Sequence, residues 1–190
     1  MKQLLLFIAP GFEEIEAIST IDILRRADLP VLSVSITGDL RVVGAHGIAI
    51  EADALYPDID FNEAEMLILP GGMPGTKNLN VHEGLKALLL KFAEAGKPLA
   101  AICAAPRILG QLGILAGKEA TCYPGNEEFL KGARLSKYMI VQDGKIITAS
   151  GPGVASEFAL QIVSFFLGEE KADEVAKGLL LSKKVNKHVI

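Results

Sequence analysis

Short apolar runs alternate with amphipathic stretches along most of this chain. Runs bounded by glycine or proline are typical of buried strands, and they occupy residues 4–8, 31–36, 66–69, 99–102 and 145–149. Apolar residues spaced three or four apart predict helices near residues 13–26, 81–95 and 153–166, and again after 169. Buried strands that alternate with helices indicate a parallel sheet covered on both faces. We therefore predict one α/β domain over residues 1–190, with a doubly wound, mostly parallel sheet.

The first predicted helix carries apolar residues at helical spacing, which predict one buried stripe. These residues are Ile15, Ile18, Ile21 and Leu24. Glutamates crowd its first turn, where the helix dipole favours negative charge. From the pattern alone, Glu13 and Glu14 are interpreted as solvated charges and Glu16 as a third helix-start glutamate.

Turn residues predict two hairpins and one short strand. Gly44-Ala-His-Gly47 separates two short arms, and Asp143-Gly144 is a strong two-residue hairpin signal. A short strand containing Thr121 and Cys122 is predicted to end at Tyr123-Pro-Gly125.

The run from Leu99 to Ile102 ends on Cys103, and a helical pattern begins at Pro106. Proline is well tolerated in a first helical turn, so the pattern predicts a strand that turns abruptly into a helix. Open α/β sheets bind ligands at the carboxyl ends of their strands, and a helix N-terminus favours a thiolate. The predicted corner resembles a nucleophile elbow with cysteine in place of serine.

Composition bears on which partners the protein binds and on where in the cell it is expected. The 190 residues include 19 Lys and Arg against 23 Asp and Glu, no Trp and no basic cluster, so nucleic-acid binding is not expected. The N-terminal apolar run is too short to span a membrane and lacks a signal-peptide cleavage site. Two cysteines without a signal peptide indicate reduced thiols, and we expect a cytoplasmic protein without membrane association.

No metal or cofactor site is predicted. No cluster has metal-ligand spacing, and neither G-x-G-x-x-G nor a P-loop lysine occurs. His46 and His82 are interpreted as surface or cap residues, and His188 as part of a flexible tail. Cys122 is interpreted as structural, with a secondary redox thiol as the alternative.

Four motifs occur in a fixed order along the chain. They are Gly11-Phe-Glu-Glu-Ile-Glu16, Leu69-Pro-Gly-Gly72, Ala101-Ile-Cys-Ala-Ala-Pro106 and Thr148-Ala-Ser-Gly-Pro-Gly153, the last followed by Glu157-Phe-Ala-Leu160. In this order and spacing the chain resembles the ThiJ/PfpI superfamily, and within it the branch of the parkinsonism-associated protein deglycase and its small bacterial relatives. The resemblance covers about residues 4–167 and implies a flavodoxin-like fold and a homodimer.

The resemblance implies a role for several residues. Cys103 matches the reactive cysteine of the family, and Glu16 matches a carboxyl group, usually protonated, that lies against its sulfur. The backbone N–H groups of Gly72 and Ala104 match donors that hold an oxyanion, or a sulfinate after oxidation. Arg26 matches an arginine near the dimer interface that helps to bind anions.

Three positions refine this assignment. Gly71 is expected to belong with Gly72 to the anion-binding loop, because backbone that approaches an anion needs glycine. His46 stands where the family usually has a partner arginine, which weakens the predicted anion site. Tyr123 stands where some branches place a histidine that approaches the cysteine, so a Cys–His protease is not expected and Tyr123 becomes a candidate pocket residue.

Three functions fit these residues. The first is a cysteine-dependent enzyme that acts on a small reactive carbonyl substrate, of the glyoxalase or deglycase type. The second is a non-enzymatic oxidative-stress sensor or redox-dependent chaperone that responds through oxidation of Cys103. The third, an amidase, amidotransferase or intracellular protease, ranks last because no histidine occupies a matching position.

Overall fold

The chain folds around one large sheet, in a computed structural model that describes residues 2–181 and 187–190. The strands are β1 (Gln3–Ile8), β2 (Val31–Ser35), β3 (Arg41–Val43), β4 (Ala49–Glu51), β5 (Ala54–Leu55), β6 (Ala64–Leu69), β7 (Leu99–Ile102), β8 (Glu119–Ala120), β9 (Arg134–Leu135), β10 (Ile140–Asp143), β11 (Ile146–Ala149) and β12 (Lys187–Val189). The α-helices are α1 (Glu14–Arg26), α2 (Gly75–Val81), α3 (Glu83–Glu94), α4 (Pro106–Gln111), α5 (Ala155–Leu167) and α6 (Glu169–Gly178).

The order of the large sheet is β12-β10-β11-β7-β6-β1-β2-β5. Its central strands, β2-β1-β6-β7-β11, are all parallel and follow the 2-1-3-4-5 order of a flavodoxin-like sheet. The order reverses between β1 and β6, and the segments that follow β1, β6 and β7 leave from the same edge. The predicted fold class is therefore confirmed, and the sheet places this edge where open α/β proteins bind ligands.

Strand β1 shows why both faces of the sheet are covered. Leu4, Leu6 and Ile8 point into a core shared with α1, α5 and α6, whereas Leu5 and Phe7 point into a second core shared with α3 and α4. Successive side chains of a strand point to opposite faces, so a strand apolar at every position requires an apolar layer on each side.

The buried face of α1 differs from the predicted stripe. Leu24 is buried, but Ile15 and Ile18 are 57% and 42% exposed. The buried positions of the helix are Glu14, Glu16, Ala17, Thr20, Ile23 and Leu24. The prediction was wrong because both glutamates find hydrogen-bonding partners inside the protein, which turns the helix away from the stripe that hydrophobicity alone selects.

Local hydrogen bonds explain why one helix and one strand end at residues other than the predicted ones. The predicted helix over residues 81–95 is two helices, α2 and α3, because His82 caps α3 by accepting the N–H of Leu85 at Nδ1 over 3.0 Å. The predicted strand at Thr121 and Cys122 ends at Ala120, and the Thr121 N–H donates to Thr148 Oγ1 instead. Both predicted hairpins, β3–β4 and β10–β11, are confirmed.

The end of the chain is also more ordered than expected. His188 lies in β12, which pairs in parallel with β10, and its ring stacks on Tyr138 with ring centroids 4.7 Å apart. The assignment of His188 to a flexible tail was wrong, because the edge of β10 offers backbone partners that a hydropathy pattern does not reveal. Across the described residues, the helices are all too short or too polar to cross a membrane.

Candidate active site

Cys103 is the first residue after β7 and adopts a left-handed backbone conformation, with φ of 65°. Few residues other than glycine adopt this conformation, and its surroundings hold it in place. The Cys103 N–H donates to the Ala149 carbonyl over 2.8 Å, and the Cys103 carbonyl accepts the Tyr123 N–H over 2.7 Å. The sharp corner before α4 confirms the predicted elbow.

Glu16 brings a buried carboxyl group to this corner from the first turn of α1. Its side chain is fully buried, and Oε2 accepts the Gly71 N–H over 2.7 Å. The other oxygen, Oε1, has no nitrogen or oxygen partner in the described part of the chain. The carboxyl group instead interacts with the Cys103 thiol. This arrangement suits a neutral carboxyl, in which one oxygen accepts a hydrogen bond and the other carries a proton.

Burial is the largest influence on the pKa values of Glu16 and Cys103. It raises the pKa of Glu16 to about 7, against the opposing effects of the Cys103 thiol and the Gly71 N–H. It also raises the pKa of Cys103 to about 12, with a contribution from the charge of Glu16, although the N–H groups of Gly72 and Ala104 hydrogen-bond to the sulfur and oppose the shift. Burial thus outweighs the thiolate-stabilising effect expected from the helix N-terminus.

The two groups therefore titrate as a pair. Each ionised group disfavours ionisation of the other, so the pair carries one negative charge over most of the range between the two pKa values. A proton on Glu16 removes its charge from beside the sulfur and leaves a donor in its place. The two backbone N–H groups then offset part of the effect of burial, which lowers the cost of ionising Cys103 without making the thiolate the dominant form at neutral pH.

Gly71 packs against both Cys103 and Glu16, and Gly72 follows it in the loop after β6. A Cβ atom on Gly71 would lie 2.7 Å from Cys103 Cβ and 2.9 Å from Glu16 Oε2, so a side chain does not fit there. Gly72 has φ of 91° and directs its N–H toward the sulfur. The structure therefore places Cys103, Glu16, Gly71, Gly72 and the Ala104 N–H together. The binding of an oxyanion by the N–H groups of Gly72 and Ala104 stays a prediction.

Arg26 lies at the far end of α1, away from the other predicted site residues. Its Nε donates to Asp22 Oδ2 over 2.7 Å. Ten residues of helix separate it from Glu16, which corresponds to about 15 Å along the axis. Within one chain Arg26 does not reach the cysteine, so its predicted role in anion binding requires a second copy of the protein.

Tyr123 lies at the rim of the site. Its backbone contacts Cys103, its side chain is half-exposed, and its ring borders Gly151, where a Cβ atom would lie 3.1 Å from the ring. Gly151 follows β11, the strand that neighbours β7. The position agrees with a pocket residue, and contact with a substrate stays a prediction.

The two remaining glutamates of α1 are buried, contrary to the prediction that they are solvated. Glu13 caps α1 by accepting the Glu16 N–H over 2.7 Å. Glu14 accepts the His46 N–H at Oε1 over 2.7 Å and contacts His46 Nδ1 at Oε2 over 2.8 Å. The prediction was wrong because the β3–β4 hairpin folds over the start of α1, an arrangement that no local pattern announces.

Glu13, Glu14 and His46 also place ligand-type atoms within 4.8 Å of one another, the one such group in the described residues. The sequence showed no such cluster because the histidine is distant along the chain. Carboxylate oxygens of both glutamates already accept N–H groups, so the cluster is accounted for by the start of α1 and the hairpin.

Cys122 differs from Cys103 in its surroundings, although both are free and buried. Burial raises the pKa of Cys122 to about 11, the charge of Glu127 adds to the shift, and the Asn126 N–H opposes it. Cys122 belongs to the core shared with α3 and α4, and its role as a structural residue stays a prediction.

A flavodoxin-like sheet with a cysteine at a strand–helix elbow and a buried carboxyl beside its sulfur defines a class of reactive-cysteine α/β proteins. The model of the DJ-1/PfpI family matches residues 2–165. The chain belongs to this family, which confirms the resemblance drawn from its motifs.

Relatives and solved structures agree with this assignment. The chain is 37% identical over 180 residues to Protein DJ-1 homolog B of Arabidopsis thaliana, covering 94% of this chain but 41% of that protein, so it spans less than half of that relative. It is 34% identical over 186 residues to the glutathione-independent glyoxalase DJR-1.2 of Caenorhabditis elegans, covering 96% of this chain and 98% of that protein. The structure of oxidized DJ-1 from Toxoplasma gondii superimposes with a TM-score of 0.91 at 33% identity, covering 96% and 100% of the two chains.

Proposed function

We propose that this protein uses Cys103 to convert small 2-oxoaldehydes, such as methylglyoxal, into hydroxy acids without a cofactor, and that it acts on glycated thiols or amines by the same chemistry. The observation that carries the proposal is the buried Glu16 carboxyl, with a pKa of about 7, in contact with a sulfur that accepts two backbone N–H groups. The worm relative named as a glutathione-independent glyoxalase supports this class of reaction.

The reaction begins when Cys103 passes its thiol proton to the Glu16 carboxylate and its sulfur adds to the aldehyde carbon, which forms a carbon–sulfur bond and leaves the aldehyde oxygen negatively charged. The N–H groups of Gly72 and Ala104 stabilise the resulting hemithioacetal oxyanion. A proton then leaves the former aldehyde carbon and another is delivered to the neighbouring carbon. The first carbon is thereby oxidised and the second reduced, which yields a thioester of the hydroxy acid. Water hydrolyses the thioester, releases lactate from methylglyoxal and regenerates the thiol.

Glu16 carries the protons in this scheme. A general acid–base group works best when its pKa lies near the working pH, and burial brings Glu16 into that range. Its unpartnered oxygen, Oε1, is the position from which a proton passes to or from an adduct on Cys103.

The test is methylglyoxal consumption with lactate detection, for the wild type, Cys103→Ser and Cys122→Ser side by side. We expect turnover to survive Cys122→Ser and to vanish with Cys103→Ser, because only Cys103 has the carboxyl partner and the two N–H donors. A Cys103→Ser variant as active as the wild type would contradict the mechanism. Absence of turnover in all three proteins would favour a redox role.

A second candidate function is a sensor of oxidative stress that responds through Cys103. The donors that hold an oxyanion also suit a sulfinate, and the Toxoplasma gondii relative has been solved in an oxidized form. Under mild peroxide we expect mass spectrometry to find a sulfinate at Cys103 while Cys122 stays a thiol. Equal oxidation of both cysteines would contradict this role.

A Cys–His hydrolase is not proposed, because each of the three histidines is engaged elsewhere. His46 pairs with Glu14, His82 caps α3 and His188 stacks on Tyr138.

We also propose that the protein is a homodimer. Ile15 and Ile18 of α1 are exposed beside the β3–β4 hairpin, which exposes Val43 and Ile48. A second copy on this surface would remove apolar area from water and would supply the Arg26 that one chain cannot bring to its own site. Light scattering should give twice the mass of one chain, and Ile18→Glu should reduce it to one; a monomeric wild type would exclude the dimer.

A further inference from the structure

Residues 123–129, here called the rim loop, run from the edge of the site to a point where they pack against α4. At its start, Tyr123 donates its N–H to the Cys103 carbonyl over 2.7 Å and rests its ring against Gly151. At its end, Phe129 packs on Gly110 of α4, where a Cβ atom would lie 2.3 Å from the Phe129 carbonyl oxygen. One side of the site is therefore built from a loop that must be held against the helix that begins at the elbow.

Arg107 makes the side-chain contacts that hold this loop to α4. Its Nη1 donates to Asn126 Oδ1 over 3.3 Å, and its guanidinium carbon lies 3.6 Å from the centre of the Phe129 ring. A planar guanidinium can stack and donate at the same time, which a lysine cannot reproduce. Arg107 is four residues from Cys103 in the chain, and its guanidinium contacts the rim loop.

Asn126 transmits this contact to Tyr123. It is buried, and its backbone N–H and its Nδ2 both donate to the Tyr123 carbonyl, each over 3.1 Å. The Asn126 side chain thus accepts from Arg107 at one atom and donates to Tyr123 at the other. A continuous series of contacts runs from Arg107 through Asn126 to the residue whose backbone contacts Cys103.

We propose that Arg107 is a positioning residue that, through Asn126, fixes Tyr123 at the rim of the Cys103 site and so determines which aldehydes reach the sulfur. The effect on aldehydes rests on the proposed function, whereas the effect on the loop does not. Loss of Arg107 releases the rim loop, weakens binding of a small aldehyde such as methylglyoxal and relaxes exclusion of a bulkier one such as phenylglyoxal.

The experiment compares the wild type with Arg107→Met and Arg107→Lys, and uses Arg134→Met as a matched control. Arg134 likewise ties two segments together, but through the Gly117 carbonyl and the Asp143 carboxylate, on the β8–β9 side of the molecule. Amide hydrogen exchange, measured by NMR, reports the loop directly. Loss of one hydrogen bond and one cation–π contact should speed exchange of the Tyr123 amide about tenfold in Arg107→Met. Arg107→Lys should fall between, and Arg134→Met should match the wild type.

Kinetics then separate positioning from a general structural role. In Arg107→Met we expect KM for methylglyoxal to rise about fivefold and kcat to change by less than about twofold, because the reacting groups are untouched. The ratio of kcat/KM for phenylglyoxal to that for methylglyoxal should rise.

Two results would overturn the proposal. One is an unchanged Tyr123 amide in Arg107→Met. The other is equal acceleration of the Tyr123 amide and of the Leu6 amide in β1, which would make Arg107 a brace of the whole fold. If the wild type turns over no aldehyde, the proposed function fails, but the effect of Arg107 on the loop can still be tested. The kinetic readout is then replaced by the rate at which Cys103 is alkylated by iodoacetamide, compared with its rate for the bulkier N-ethylmaleimide.

Discussion

Glu14 and Glu16 lie two residues apart in the first turn of α1, and both are buried. Their pKa values are nevertheless shifted in opposite directions. Burial by itself would raise the pKa of Glu14, but hydrogen bonds from the His46 side chain and from the His46 and Ile48 backbone outweigh burial and lower it. Glu16 is buried at least as deeply, with only the Gly71 N–H and the Cys103 thiol to oppose the effect of burial, and its pKa rises to about 7.

The difference shows that the supply of N–H donors, together with the depth of the group below the surface, decides the pKa of a buried carboxyl. Glu14 is an anion at neutral pH and attaches the β3–β4 hairpin to α1. Glu16 is a carboxyl that can gain or lose a proton near neutral pH, as acid–base chemistry requires. One helical turn therefore holds one carboxyl that stays charged and one that titrates near neutral pH.

The largest expected effect is that of Glu16→Gln on turnover. An amide keeps the size of the side chain but cannot shuttle a proton, and general acid–base groups contribute about 10²–10⁴ in rate. We expect kcat/KM for methylglyoxal to fall by at least about 10²-fold, whereas Glu14→Gln, the matched control, should stay close to the wild type. Comparable losses in both variants would remove the distinction between the two glutamates.

The second effect concerns two glycines, Gly71 beside Glu16 and Gly44 beside Glu14. A Cβ atom on Gly71 would meet Cys103 and Glu16, and one on Gly44 would lie 2.3 Å from Glu14 Oε1. Gly71→Ala should reduce turnover by about 10²-fold through misplacement of the reacting groups. Gly44→Ala should leave turnover intact and lower the free energy of unfolding by about 1–3 kcal/mol. Urea denaturation and methylglyoxal kinetics on both variants check this, and a reversed pattern would contradict it.

The third effect is the pH dependence of the free energy of unfolding, to which the two glutamates contribute with opposite signs. The pKa of Glu16 is higher in the folded state than its ordinary 4.5, so the native state binds more protons and stability falls as pH rises from about 4.5 to about 7. At 1.36 kcal/mol per pKa unit, the loss reaches roughly 3 kcal/mol at most. The lowered pKa of Glu14 contributes stability above pH 4.5 that is lost as pH falls through its folded value.

Unfolding free energies measured from pH 3 to pH 8 test this pair of signs. Glu16→Gln should flatten the decline between about 4.5 and 7, and Glu14→Gln should reduce the loss on the acid side, to which the lowered pKa of Asp53 also contributes. Profiles that coincide with that of the wild type would show that neither carboxyl has the pKa direction described above.

The smallest expected effect is that of His46→Gln. Its hydrogen bond with Glu14 and the Glu14 charge raise the pKa of His46, so its contribution is complete below pH 6.5 and disappears as pH rises through the folded value. The side chain is 70% exposed, so solvent screens the pair and the change in Tm should be small. Thermal unfolding at pH 5.5 should show a small decrease and at pH 9 none; a larger decrease at pH 9 would contradict the pairing.

Several features could be predicted because they depend on neighbours along the chain. The apolar runs predicted the strands of the parallel sheet, and the sudden change from strand to helix pattern predicted the elbow at Cys103. By contrast, the role of Glu16 came from family resemblance alone, since three glutamates in one turn look alike to any local pattern. Arg107 and Asn126 were missed because their partners lie on a separate loop; an arginine one turn after the elbow was the one available signal.

The sequence by itself thus determined the layers of the fold, the mostly parallel sheet and the position of Cys103 at the elbow, because hydrophobic periodicity and turn residues act over short distances. Only the tertiary structure decided which glutamate stays charged and which one titrates near neutral pH. Desolvation and N–H donors set that outcome, and they come from Gly71, His46 and Ile48, which fold onto α1 from distant parts of the chain.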